Sequence, residues 1–259
     1  MSLAAIGFAA AAEAAADAAG AVIRRYFRAS IDVDIKDDQS PVTLADRGAE
    51  AAIRSVLAAH YPHHSFIGEE LGGTAQSRYT WLIDPIDGTR AFITGRASFA
   101  TLIALLDGET PILGLIDQPV TGERWLAHGG QLQFTGAFGG KPGGRKLPGL
   151  AQAELSCTTP DMFDAAQHQR FRGLAGLCRR VTYGGDAYGY GLLALGHIDV
   201  IAEAGLKPWD WAALVPVIEA AGGKITDWAG APLRMTGDGT VLAVGDPALL
   251  DACVRGLAG

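Results

Sequence analysis

The residues best suited to chemistry here are acidic, and they fall in short runs. The most informative is Trp81-Leu82-Ile83-Asp84-Pro85-Ile86-Asp87-Gly88-Thr89. A hydrophobic strand ends at Asp84, a Pro-containing turn presents Asp87 beside it, and Gly88 and Thr89 open a helix. Carboxylates at this spacing can converge on a hard cation, which takes oxygen ligands. The turn also exposes the Ile86 carbonyl as an extra oxygen, and the helix start offers free amides to an anion such as phosphate. Alone, the run reads equally well as an Asp-Gly surface turn with Asp84 as a helix cap.

Two further acidic pieces follow the same logic. Gly68-Glu69-Glu70 comes just after a short strand, and Lys207-Pro208-Trp209-Asp210-Trp211-Ala212-Ala213 places Asp210 at the mouth of an apolar helix. Asp210 also suits an ordinary N-terminal cap. His60, His63 and His64 lie in a turn with no carboxylate motif, and read as exposed rather than as ligands.

The elements that must position these groups are legible from periodicity. An alanine-rich amphipathic helix runs to about residue 28; Glu13 and Asp17 interrupt its apolar run, and it has no basic start, so it does not read as a secretory signal. A second helix spans residues 43–60, with Asp46, Arg47, Glu50 and Arg54 among its polar positions. Strands follow at 65–67, 79–84, 99–106, 112–118, 124–127 and 131–134, with turns at 85–88 and 107–108. Residues 136–149, rich in Gly, Pro and Lys, mark a lobe boundary. Beyond it come strands at 154–158, 180–183, 200–202, 224–227 and 241–244. Helices are predicted at 164–177, 187–195, 209–221 and 247–257. The chain thus reads as one catalytic unit of two lobes: an α+β lobe over 1–143 with most of the acidic candidates, and an α/β lobe over 144–259 contributing Asp210.

Composition narrows the function. The chain has 259 residues, a net charge of −7 and 19% charged residues, enough for a full core and unlike a nucleic-acid or anionic-membrane surface. An acidic protein can still take a phosphorylated substrate, because bound cations reverse the local sign. Cys157, Cys178 and Cys253 lack metal-ligand spacing and suit buried apolar fillers in a reducing cytoplasm.

Taken together, Gly68-Glu69-Glu70, Asp84-Pro85-Ile86-Asp87-Gly88-Thr89 and Trp209-Asp210-x-Ala-Ala resemble the signatures of the inositol monophosphatase superfamily, as does Ser40-Pro41-Val42-Thr43-Leu44-Ala45-Asp46 with Lys36 upstream. The runs Asp87-Gly88-Thr89-Arg90-Ala91-Phe92, Gly184-Gly185-Asp186-Ala187-Tyr188, Leu206-Lys207-Pro208-Trp209-Asp210 and Ala213-Leu214-Val215-Pro216 are most similar to its histidinol-phosphate phosphatase branch. Leu214 stands where many inositol phosphatases have Gly.

The resemblance implies a layered αβαβα sandwich, often dimeric, and a Mg²⁺-dependent phosphomonoesterase with two or three ions. One ion would take Glu69, Asp84 and the Ile86 carbonyl; another Asp84, Asp87 and Asp210. Glu69 and Thr89 would orient the attacking water, with Asp46 supporting Thr89. Asp87, Gly88, Thr89, Arg90, Asp186, Glu203 and Asp210 would border the substrate, a small phosphorylated alcohol. Lys36 would stand near the phosphate or a loose metal position, or be a solvated loop charge. The two extra carboxylates Asp186 and Glu203 suit a cationic alcohol such as histidinol, and equally sugar hydroxyls. The expected activity is histidinol-phosphate hydrolysis in histidine biosynthesis; the alternatives are an inositol-1-phosphatase or broad sugar phosphatase, and a regulatory binding protein that keeps the fold. Neither nucleic acid nor membrane is an expected partner.

Overall fold

The computed structural model describes residues 7–29, 33–35 and 41–258; Lys36 lies outside them. Helix α1 (Phe8–Tyr26) is followed by a short antiparallel pair, β1 (Val33–Ile35) and β2 (Pro41–Thr43), then α2 (Leu44–His60). A six-stranded sheet follows, built in chain order from β3 (Ser65–Gly68), β4 (Tyr79–Asp87), β5 (Ala100–Asp107), β6 (Thr110–Gln118), β7 (Glu123–His128) and β8 (Gln131–Thr135). The short helix α3 (Thr89–Ile93) sits between β4 and β5. All these strands pair antiparallel except β3 with β4, which is parallel.

The rest of the chain forms a five-stranded mixed sheet. Its strands are β9 (Glu154–Cys157), β10 (Arg180–Tyr183), β11 (Val200–Glu203), β12 (Lys224–Thr226) and β13 (Val241–Val244), in the order β10-β9-β11-β13-β12. The helices are α4 (Ala165–Ala175), α5 (Asp186–Ala194), α6 (Pro208–Trp211), α7 (Leu214–Ala220) and α8 (Leu250–Ala258).

Alternation along the strands sets the layers, because neighbouring side chains in a strand point to opposite faces. On β4, Trp81 and Ile83 join α1 and α2 through Ile23, Ile53 and Leu57, whereas Leu82 faces the other way. There it meets Tyr190 and Leu193 of α5, Trp211 of α6 and Val217 of α7. On β11, Ile201 joins this same middle layer, while Val200 and Ala202 pack with Phe171 of α4 and Leu257 of α8. The result is helix, sheet, helix, sheet, helix: the layered αβαβα sandwich that the family resemblance implies. Small side chains let the outer helices approach closely, since Ala11, Ala12, Ala15, Ala16 and Ala19 of α1 and Ala45 and Ala49 of α2 are all fully buried.

Three sequence expectations need correction. The predicted turn at 85–88 is a continuation of β4, which runs to Asp87 with an irregular register between Asp84 and Asp87. The predicted helix at 209–221 is two helices, α6 and α7. Pro216 would drive its ring into the carbonyl of Ala212 in a continuous helix, and in the first turn of α7 that conflict disappears. Finally, Glu50, counted only among the polar positions of the second helix, is 0% exposed, and Asp46, expected to support Thr89 from that helix, is 1% exposed.

The turn histidines, expected to be exposed, are so only at His63; His60 and His64 are half-buried, and His64 has internal partners. Its Nδ1 accepts a 3.1 Å hydrogen bond from Trp81 Nε1, and its ring stacks on Tyr61 at 4.6 Å between centroids. Among the described residues, no helix is long and apolar enough to cross a membrane.

Candidate metal centre

The site begins with the irregularity in β4. In a regular strand, residues three apart face opposite sides of the sheet. Here Asp84 pairs with Leu102 and Asp87 with Ala100, so one strand spends an extra residue where its partner does not. Such a bulge resets the alternation. Leu102 and Ala100 both belong to the middle layer, and Asp84 and Asp87 are opposite them. Pro85 fits the bulge because it has no N–H to lose from the ladder. Its carbonyl accepts a buried 2.7 Å bond from Thr101 Oγ1, and Asp84 Oδ1 accepts from the Ile86 amide at 3.1 Å.

Two other elements deliver acids to the same place. The parallel pairing of β3 with β4 sets Gly68 beside Ile83, and the Glu69 amide donates to the Ile83 carbonyl at 3.2 Å, so Glu69 follows directly alongside Asp84. From the middle layer, Asp210 of α6 is held by the Lys207 amide, which donates to its Oδ2 at 2.7 Å.

Carboxylate oxygens of Asp84, Asp87 and Asp210 lie within 4.8 Å of one another, and Asp84 is buried. Glu69 is outside that trio yet close enough to act on it. Burial raises the Asp84 pKa well above the ordinary carboxylate value, and the charges of Glu69, Asp87, Asp210 and Asp46 raise it further. Burial likewise pushes Asp87 well up, aided by Asp186 and Asp210. Asp210 is pushed up to about 7, by burial first and then Glu69, against the relief of the Lys207 amide and a hydrogen bond with Asp84. A set made wholly of oxygen donors, partly buried and raising one another's pKa, suits a hard divalent cation, since such a charge would relieve all of them at once.

Thr89 Oγ1 donates to the Ile86 carbonyl at 3.3 Å. Gly88, at φ 89°, turns the chain into α3 and lies against Asp186: a Cβ there would stand 2.7 Å from its Cγ. Arg90 is exposed on the wall of a second cavity, with Glu69, Thr89 and Asp186. Of the sequence candidates, the structure therefore gathers Asp84, Asp87 and Asp210 most tightly, with Glu69, Asp46, Ile86 and Thr89 around them.

Asp186 and Glu203 face the same space. With Asp87, Tyr190 and Asp210 they line a cavity of about 400 Å³. Asp186 holds a φ of 43°, unusual for a residue with a side chain. Its amide donates to Thr158 Oγ1 at 3.0 Å. Burial and Glu203 raise its pKa to about 6, opposed by Arg96, Ser98 and Arg90. Glu203 is 4% exposed and accepts from the Thr158 amide at 2.6 Å and from Tyr190 Oη at 2.8 Å. Burial raises its pKa, and the Thr158 and Tyr190 hydrogen bonds moderate the rise.

Thr158, Tyr190, Arg96 and Glu50 are parts of this neighbourhood that sequence reasoning missed. Thr158 and Arg96 carry no motif. Tyr190 follows the Gly-Gly-Asp-Ala-Tyr run by two residues and gave a weak signal; Glu50, a charged position in a polar helix face, gave none.

Comparisons with known proteins show the family of the chain. The family described as "Inositol monophosphatase family" matches residues 7–255. The chain is 48% identical over 226 residues to the bifunctional phosphatase IMPL2 of Arabidopsis thaliana, covering 86% of this chain and spanning 65% of that relative's length. It is 36% identical over 223 residues to the histidinol-phosphatase of Mycobacterium tuberculosis, covering 84% of this chain and 86% of that protein. The solved structure of an inositol monophosphatase from Zymomonas mobilis superposes with a TM-score of 0.87 at 43% identity, covering 96% of this chain and 97% of that one. The chain belongs to the inositol monophosphatase family of phosphatases.

Proposed function

We propose that the chain is a Mg²⁺-dependent histidinol-phosphate phosphatase, releasing phosphate from L-histidinol phosphate in histidine biosynthesis. The observation that carries this reading is the acidic cavity beside the carboxylate trio. Asp186 and Glu203 face it together with Asp87 and Asp210, a surrounding that favours a leaving alcohol bearing an ammonium and an imidazole over a neutral polyol. The similarity to the mycobacterial histidinol-phosphatase supports the same substrate.

In this reading Asp84, Asp87 and Asp210, with Glu69 and the Ile86 carbonyl, hold Mg²⁺, which is preferred over Zn²⁺ because the donors are all oxygens. Mg²⁺ held there would supply positive charge for a phosphate dianion, a more acidic water and stabilisation of the departing alkoxide. Glu69 accepts a proton from the attacking water. The Thr89 hydroxyl, whose own proton goes to the Ile86 carbonyl, keeps a lone pair to orient that water, and Asp46 supports the arrangement from α2. Gly88 and Thr89 present backbone amides to phosphate, and Arg90 offers charge at the rim. Asp186 and Glu203 bind the alcohol; the oxygens of Glu203 already used by Thr158 and Tyr190 each retain a second lone pair.

Phosphate release from L-histidinol phosphate and inositol-1-phosphate, measured side by side with Mg²⁺ and with a chelator, tests the reading. It expects faster turnover of histidinol phosphate and none with chelator. Faster turnover of inositol-1-phosphate would favour the second reading, an inositol phosphatase, which the similarity to the Zymomonas mobilis structure supports. Absence of release from any monoester would leave the regulatory binding protein.

A further inference from the structure

The loop that carries Glu69 is held by one buried side chain on α2. Residues 68 to 72 close on themselves: the Gly68 amide donates to the Gly72 carbonyl at 3.0 Å, and the Gly72 amide returns to the Gly68 carbonyl at 3.1 Å. The amides of Glu70 and Leu71 lie within this closed loop. Both donate to Glu50 Oε2, at 2.8 and 3.3 Å. The other oxygen, Oε1, accepts from Arg54 Nε at 2.7 Å, and Arg54 Nη2 reaches on to the Gly72 carbonyl. Arg47 adds a 3.8 Å ion pair with Glu70. Arg47, Glu50 and Arg54 recur at helical spacing, so one face of α2 grips the loop from end to end.

The fit is tight. A Cβ on Gly68 would sit 2.0 Å from Glu50 Oε1, so the carboxylate fills the space a side chain would need. Glu50 is 0% exposed, and burying a carboxylate is costly unless it is fully hydrogen-bonded. Its two oxygens take two backbone amides and a guanidinium, which meets that condition. Its bonds go to the loop and not to the acidic trio, so Glu50 acts through Glu69.

We infer that Glu50, braced by Arg54, is a positioning residue for the metal centre: it fixes the backbone on either side of Glu69 so that this carboxylate is presented to Asp84 rather than to solvent. This rests on the reading of Glu69 as a metal ligand. Groups that orient ligands from behind are worth about 10- to 100-fold in metal affinity or activity.

The test uses the full chain and Mg²⁺ alone. Titration calorimetry gives the dissociation constant for parent, Glu50→Gln, Arg54→Met and Glu69→Gln, and hydrogen exchange of the metal-free proteins reads the amides of Glu70 and Leu71. Glu50→Gln is expected to weaken Mg²⁺ by about 10- to 100-fold and to speed exchange at both amides. At saturating Mg²⁺ the substrate KM should stay near the parent's, a split that general destabilisation would not produce. Arg54→Met should do the same to a smaller degree, and being partly exposed it keeps the test open if Glu50→Gln does not fold. Parent-like Mg²⁺ binding in folded Glu50→Gln, or in Arg54→Met where only that variant folds, overturns the proposal if Glu69→Gln weakens binding. Parent-like binding in Glu69→Gln itself overturns the ligand reading and, with it, this role for Glu50.

Discussion

The amide of Ala187, at the start of α5, donates a 2.5 Å hydrogen bond to Oδ2 of Asp87, one hundred positions earlier in the chain. The carboxylate at the end of β4 is therefore also a link from the six-stranded sheet to the middle helical layer. Whatever changes the charge of Asp87 should change both the cation site and the placement of Asp186 next door.

Asp87→Asn keeps the shape and removes the charge. Turnover at fixed Mg²⁺ should fall by at least about 100-fold, the upper range for losing even an outer partner of a metal site. The half-saturating Mg²⁺ concentration should rise as well. Steady-state kinetics across a Mg²⁺ series measures both, and near-parent turnover would remove Asp87 from the centre.

The raised carboxyls make metal-free stability depend on pH, with a definite sign. A carboxyl whose pKa is higher in the fold than in the unfolded chain keeps a proton that the unfolded chain has lost, so stability falls as pH climbs through that interval. For Asp210 the interval opens near the ordinary 3.8 and closes near 7; Asp186, raised to about 6, adds to it. Melting of the chelated protein should drop between about pH 4 and pH 7, and added Mg²⁺ should raise it more at the higher pH, because binding displaces protons. A melting temperature that climbs over this interval without metal would contradict the assignment.

Asp186→Asn and Glu203→Gln separate substrate from metal. Each should raise KM for histidinol phosphate more than for inositol-1-phosphate, while Mg²⁺ dissociation constants stay within a few-fold. Equal effects on both substrates would argue that these carboxylates serve the scaffold alone.

Gly88→Ala should be poorly tolerated. A positive φ disfavours any side chain, and the new Cβ would press on Asp186 at 2.7 Å. Destabilisation of about 1–3 kcal/mol is expected, read by urea denaturation, together with a higher KM from the displaced Asp186.

Much of this was legible in the residues. Trp81 to Ile83 and Ala100 to Leu106 are near-continuous apolar runs, so buried strands could be read directly, whereas the layering was expected only from the family resemblance. Two acidic runs far apart in the chain, 84–89 and 207–213, gave the trio, and a third gave Glu69 beside it. The bulge did not show, because Pro85 signals a turn as readily as an irregular strand; yet it is the bulge that puts Asp84 and Asp87 on one face. The break between α6 and α7 was readable from Pro216 and was passed over. Glu50 stayed hidden for a different reason. A charged helix position looks solvent-facing until the loop whose amides it satisfies is in place, and that loop meets it only in three dimensions.

The most direct measurement is a crystal structure of the full chain grown with Mn²⁺, located by its anomalous scattering. The account predicts density bounded by Asp84, Asp87 and Asp210, with the Glu69 carboxylate turned toward it. Manganese bound elsewhere, or a Glu69 side chain pointing away from an ion held by the trio, would contradict it.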